Sequence, residues 1–127
     1  MTSIEEIIRL AERAKNRGAF NEAGDFYMEV DRLYPYSDKS RKALIKAMTV
    51  YHKGTDLSNA RLSAKRYLAL YPDGPDAAFA QYMVGLSFFD AIVDVRRDQG
   101  SALDAVKAFR LLNLKYPKNP YKESAAQ

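Results

Sequence analysis

The stretch AGDFYMEVDRLYP at residues 23–35 has two counterparts further along the chain, ARLSAKRYLALYP at residues 60–72 and AVKAFRLLNLKYP at residues 105–117. All three begin with alanine, carry apolar residues at helical spacing and close on Tyr-Pro. Because proline disfavours helical geometry at the residue before it, each stretch predicts a helix that ends near its tyrosine. Similarity that recurs every few tens of residues indicates a repeat protein.

A second amphipathic segment precedes each of these stretches. Apolar residues recur at helical spacing from 4 to 14, from 44 to 51 and from 80 to 89, and turn residues follow at Gly18 and Gly54. The pattern predicts an all-α fold of three helix pairs, stacked because each pair exposes an apolar face that only its neighbour covers. Within a single domain of residues 1–127, we expect repeats at about 4–37, 41–74 and 78–119.

Local residues indicate where individual helices begin and end. Ser3 and Glu6 have the spacing of a capping box, and Gly18 suits the left-handed position that follows a helix. Either Thr55 or Asp56 is suited to cap the fourth helix.

The third repeat is longer than the other two, and the extra residues lie at 91–99. The run from Arg96 to Gly100 predicts a break between the fifth and sixth helices, with Ser101 as the cap of the sixth. Two interpretations of the insertion stay open: it packs back on the repeats, or it contacts a partner through Arg96, Arg97 and Asp98. Asn119-Pro120 predicts the start of a seventh helix.

Composition narrows the range of functions. The chain has 127 residues, of which 47% are apolar and 28% charged, with a net charge of +4. The charges are mixed in sign along the chain, so we expect no nucleic-acid partner. The basic residues of the third helix are interpreted as a solvated face rather than a phosphate site; they are Lys39, Arg41, Lys42 and Lys46.

The sequence offers little for catalysis. It has no cysteine, and its single histidine, His52, has no ligand partner at metal-binding spacing. Asp90 and Asp94 lie one helical turn apart, but nearby arginines favour simple charge compensation. We therefore expect no enzyme activity, no metal and no cofactor.

The repeats resemble the tetratricopeptide repeat, which places small residues where helices cross closely and aromatic residues beside them. Ala60 and Gly85 occupy such positions. The resemblance implies a right-handed superhelix in which the first helix of each pair lines the concave face.

A closer resemblance is to the BamD family, lipoprotein subunits of the outer-membrane β-barrel assembly machinery. It rests on the Tyr-Pro closures, on QYMVGL at 81–86 and on the insertion ending in VRRDQ at 95–99. It implies a scaffold at the periplasmic face of the outer membrane, anchored by a lipidated cysteine that this sequence does not contain. It also implies that BamA binds a C-terminal half lying beyond this sequence. The alternative is another envelope adaptor of the same repeat type, such as the coordinator of the Tol-Pal system.

The resemblance implies further that the first three repeats hold C-terminal peptides of unfolded outer-membrane proteins. Lysines on the first helices would meet the terminal carboxylate, and aromatic residues would take apolar side chains. The candidate groove residues are Lys15, Asn16, Thr49, His52, Lys53, Phe79, Tyr82 and Phe89.

Overall fold

The structure is a computed structural model that describes residues 3–93 and 99–121. These residues form six α-helices and, within the described ranges, no β-strand. The helices are α1 (Ile4–Asn16), α2 (Phe20–Leu33), α3 (Asp38–Lys53), α4 (Leu57–Leu70), α5 (Ala77–Val93) and α6 (Gln99–Lys115). Each helix packs against the next one along the chain, and α3 also touches α5. The predicted all-α helical repeat is confirmed.

The helix ends follow the local residues. The Ser3 hydroxyl accepts the Glu6 N–H at 3.2 Å, and Asp56 accepts the Asn59 N–H at 3.2 Å, so both expected caps are present. Gly18 adopts a φ of +83°, as predicted for the residue after a helix. The α2 and α4 helices end one residue before the tyrosine of their Tyr-Pro dipeptides, and so does α6.

Two boundaries differ from expectation. The α3 helix begins at Asp38, three residues before the expected start of the second repeat, because the Ser37 hydroxyl caps it by accepting the Ser40 N–H at 3.0 Å. The prediction that Ser101 caps α6 after a break through Gly100 is wrong. The helix begins at Gln99, so Gly100 and Ser101 lie in its first turn. Glycine costs only about 1 kcal/mol relative to alanine within a helix, and tertiary packing routinely overrides so weak a preference.

Neighbouring helices approach closely where an aromatic ring of one helix packs on a glycine of the other. Tyr51 of α3 covers Gly24 of α2, where an added Cβ would lie 2.5 Å from the ring. The Phe109 ring of α6 covers Gly85 of α5 in the same way. The core continues through Tyr27 and Tyr67, both almost completely buried. This close packing fixes the separation of α2 from α3 and of α5 from α6.

Candidate functional site

A groove runs between the first helices α1 and α3. It consists of two cavities, of about 200 Å³ and 110 Å³, that share Tyr27 and Lys46. We call it the α1–α3 groove. The larger cavity is lined by Ile8, Tyr27, Lys39, Lys42, Ala43 and Lys46. The smaller cavity is lined by Lys15, Tyr27, Ile45, Lys46, Thr49, Val50 and Lys53.

Tyr27 reaches the groove from α2 and forms its floor. Its side chain is almost completely buried, and the Lys46 ammonium lies 5.8 Å from the centre of its ring. Burial raises the pKa of Tyr27, and the nearby charge of Glu12 adds to the effect. The ring is therefore neutral and lies beneath the groove, with the Lys46 cation over it.

Three of the predicted site residues meet in the smaller cavity: Lys15 of α1, with Thr49 and Lys53 of α3. The Lys53 ammonium lies 6.0 Å from the centre of the Phe20 ring. Among the described residues, neither lysine forms an ion pair. The Thr49 hydroxyl donates to the Ile45 carbonyl at 2.9 Å, which leaves its oxygen lone pairs to accept a hydrogen bond. Asn16, also predicted, is the exposed last residue of α1.

His52 contacts α5 rather than the α1–α3 groove. Its Nε2 lies 2.5 Å from Oδ2 of Asp90, and both side chains are roughly one third exposed. The pair ties the last turn of α3 to α5. Asp90 therefore contacts His52. Asp94, which lies one helical turn further along the sequence, is outside the described residues.

The predicted aromatic residues of α5 separate into two settings. Tyr82 stacks on Tyr121 with ring centres 4.7 Å apart and planes 12° apart, and Phe79 lies 5.8 Å from the same ring. Phe89 stays 41% exposed. Two of the three rings are therefore partly covered by Tyr121, which sequence reasoning did not place beside them.

Other kinds of site find little support within residues 3–93 and 99–121. No three His, Cys, Asp or Glu side chains in that part of the chain come together as metal ligands. No helix among the same residues has the length and apolar character needed to span a membrane.

Comparison with known proteins identifies the family of this chain. The model of the family YfiO, described as an outer membrane lipoprotein, matches residues 2–127. The chain belongs to the YfiO family of outer membrane lipoproteins. This confirms the predicted relationship, because the curated relatives are named as BamD.

Two relatives show how much of the family this sequence represents. Outer membrane protein assembly factor BamD of Caulobacter vibrioides is 36% identical over 110 residues, covering 87% of this chain and 36% of the relative. The protein of the same name from Neisseria gonorrhoeae is 23% identical over 133 residues, covering 97% of this chain and 50% of the relative. The chain thus spans between about a third and a half of the length of these YfiO family members.

Sequence reasoning missed several groove residues of this YfiO family member. Lys39, Lys42 and Lys46 are exposed, as the interpretation of a solvated face predicts, and all three also line the larger cavity. Their spacing of three and four residues, which places side chains on one helix face, was the available clue. The proposed contact at Arg96, Arg97 and Asp98 lies outside the described residues.

Proposed function

We propose that this chain is the substrate-binding part of a non-enzymatic scaffold that assembles β-barrel proteins at the outer membrane. Family membership supports the setting, since the relatives are named as outer membrane protein assembly factors. It also favours assembly over a role as the Tol-Pal coordinator. A lipid anchor on the periplasmic face of the outer membrane, and BamA bound through a C-terminal half, belong to the same proposal.

The observation that carries the proposal is the chemistry of the α1–α3 groove. Lys15 and Lys53 line one cavity beside the apolar side chains of Ile45 and Val50. Cations next to an apolar surface suit a peptide that ends in an aromatic residue and a free carboxylate. Such a terminus is the part of an unfolded β-barrel protein that the scaffold would hold.

The α5 residues extend the same surface toward the third repeat. Phe89 is exposed, while Tyr82 and Phe79 offer the ring faces and edges that Tyr121 leaves open. His52 joins the two parts through its contact with Asp90. An extended segment lying across α1, α3 and α5 would then place its carboxylate at the lysines and its other apolar side chains on α5.

We expect a C-terminal peptide of a β-barrel protein to shift the backbone amide resonances of α1, α3 and α5. The affinity should be about micromolar or weaker, because a flexible peptide loses much of its interaction energy to ordering. Amidating the peptide terminus, or replacing Lys53 by Glu, should weaken binding. Lys118→Glu makes the same charge change on an exposed turn outside the groove and should not.

The pattern of shifts decides the outcome. Changes confined to the second helices α2, α4 and α6 would contradict the groove, and so would changes centred on residues 96–100. In the latter case the insertion of the third repeat becomes the better candidate for the contact.

A further inference from the structure

We propose that the α1–α3 groove binds an acidic, extended polypeptide segment along a stripe of lysines on α3. The stripe consists of Lys39, Lys42, Lys46 and Lys53. This inference rests on the proposed function and deepens it, because it names the chemistry of the segment that lies in the groove. The terminal carboxylate is then one of several negative charges recognised.

The four lysines lie on one face of α3. Their separations of three, four and seven residues return each side chain to nearly the same angle around the helix axis. At about 1.5 Å per residue the stripe is about 21 Å long. An extended peptide rises about 3.3 Å per residue, so about six residues match this length, and alternate side chains face the helix.

The groove carries more positive charge than its walls neutralise. Lys15 of α1 faces the stripe across the smaller cavity. Of the stripe, only Lys39 is paired within the described residues, with Glu5 at 3.1 Å. Glu12 is a second acidic side chain close to the groove, and its charge raises the pKa of Tyr27 at the floor. An acidic segment supplies the missing negative charge.

The stripe is not a requirement of the repeat. In the next repeat, the positions 37 residues further along carry no lysine, and Met83, at the position of the exposed Lys46, is buried in the core. The counterparts of Lys39, Lys42, Lys46 and Lys53 are Asp76, Phe79, Met83 and Asp90. The lysines are therefore a feature of α3 and not of the repeat, and a ligand of α3 accounts for them.

The shape of the site favours a polypeptide over a membrane surface. The lysines surround cavities whose floor is the buried Tyr27, with Ala43 and Val50 buried beside it. An extended chain fits into such a concave space between two helices, whereas a flat layer of lipid headgroups meets only its rim. The Thr49 oxygen is available to accept a backbone N–H of that chain.

The test uses two labelled peptides of about eight residues. One alternates Asp or Glu with small apolar residues and has an amidated end and no aromatic residue; the other carries Asn and Gln instead. Fluorescence anisotropy should show at least about tenfold tighter binding of the acidic peptide. That preference should vanish at about 1 M NaCl, where the screening length falls to about 3 Å.

Variants of the chain locate the site. The double substitution Lys42→Gln and Lys46→Gln should weaken binding of the acidic peptide about fivefold. Each lysine removed loses one exposed ion pair with the peptide, and such a pair contributes up to a few fold in affinity. The matched control is Lys65→Gln with Lys118→Gln, which removes equal charge outside the groove. Circular dichroism should show that all four substitutions preserve the helices.

Each result has a separate meaning. Equal binding of the two amidated peptides, alongside normal binding of the free C-terminal aromatic peptide, overturns this inference and leaves the proposed function standing. Failure of every peptide overturns both. Equal weakening by the control pair, or tighter binding to anionic phospholipid vesicles than to the acidic peptide, shows that the lysines act as a general charged surface and also overturns it.

Discussion

Replacing Gly85 by leucine is expected to lower the free energy of unfolding by about 1 to 3 kcal/mol, the usual cost of overpacking a close helix crossing. A Cβ at this position would overlap the Phe109 ring, and leucine adds three further carbons. Leucine has a higher helix propensity than glycine by up to about 1 kcal/mol. The measured loss of stability is therefore the overpacking cost minus this gain. Urea unfolding followed by circular dichroism provides the measurement.

Arg110→Leu is the matched control, because it places the same side chain on an exposed position of α6. It should change stability by no more than about 0.5 kcal/mol. If Gly85→Leu behaved like this control, Gly85 would not lie at a crossing, and Phe109 would have an alternative position. Ala60 is fully buried in the core that also contains Tyr27 and Tyr51, so Ala60→Phe should destabilise the chain as Gly85→Leu does.

The helices could be predicted from the sequence because the features that end them are local. Tyr-Pro stops α2, α4 and α6 whatever packs against them, and Ser3 caps α1 through a residue three positions away. The start of α6 was mispredicted for a related reason. Gly100 is a local helix-breaking signal as well, but its cost of about 1 kcal/mol relative to alanine is small enough for tertiary packing to override.

The site was harder to predict because it depends on which helix faces which. Periodicity places Lys42 and Lys46 on one face of α3, but only the packed structure shows that α1 and Tyr27 complete a cavity there. His52 and Asp90 are 38 residues apart, and no spacing rule joins them. Burial on a helix face follows from sequence, whereas contact between two faces requires the fold.

Replacing Asp31 by alanine is expected to lower the free energy of unfolding by about 2 kcal/mol, because its buried partners lose their acceptor. Asp31 is 6% exposed at the end of α2 and accepts hydrogen bonds from the Ser40 hydroxyl at 2.7 Å and from Nε of Arg66 at 3.0 Å. Alanine would leave a fully buried hydroxyl and a guanidinium without their acceptor. Breaking a buried ion pair costs about 3 to 5 kcal/mol, but Arg66 is 39% exposed and water offsets part of this loss.

The three groups join α2, α3 and α4, so they should act as a unit. A double-mutant cycle on Asp31→Ala and Arg66→Ala should give a coupling energy of about 1 kcal/mol, whereas Asp31→Ala and Arg110→Ala should be additive. The counterpart of Asp31 in the second repeat is Leu68, a partly buried leucine packed against the core. Replacing the whole network with apolar residues should therefore cost less than Asp31→Ala alone. If the apolar network cost more than Asp31→Ala alone, the charged interactions would themselves stabilise the contact between the first two repeats, and the absence of unpaired polar groups would not be sufficient.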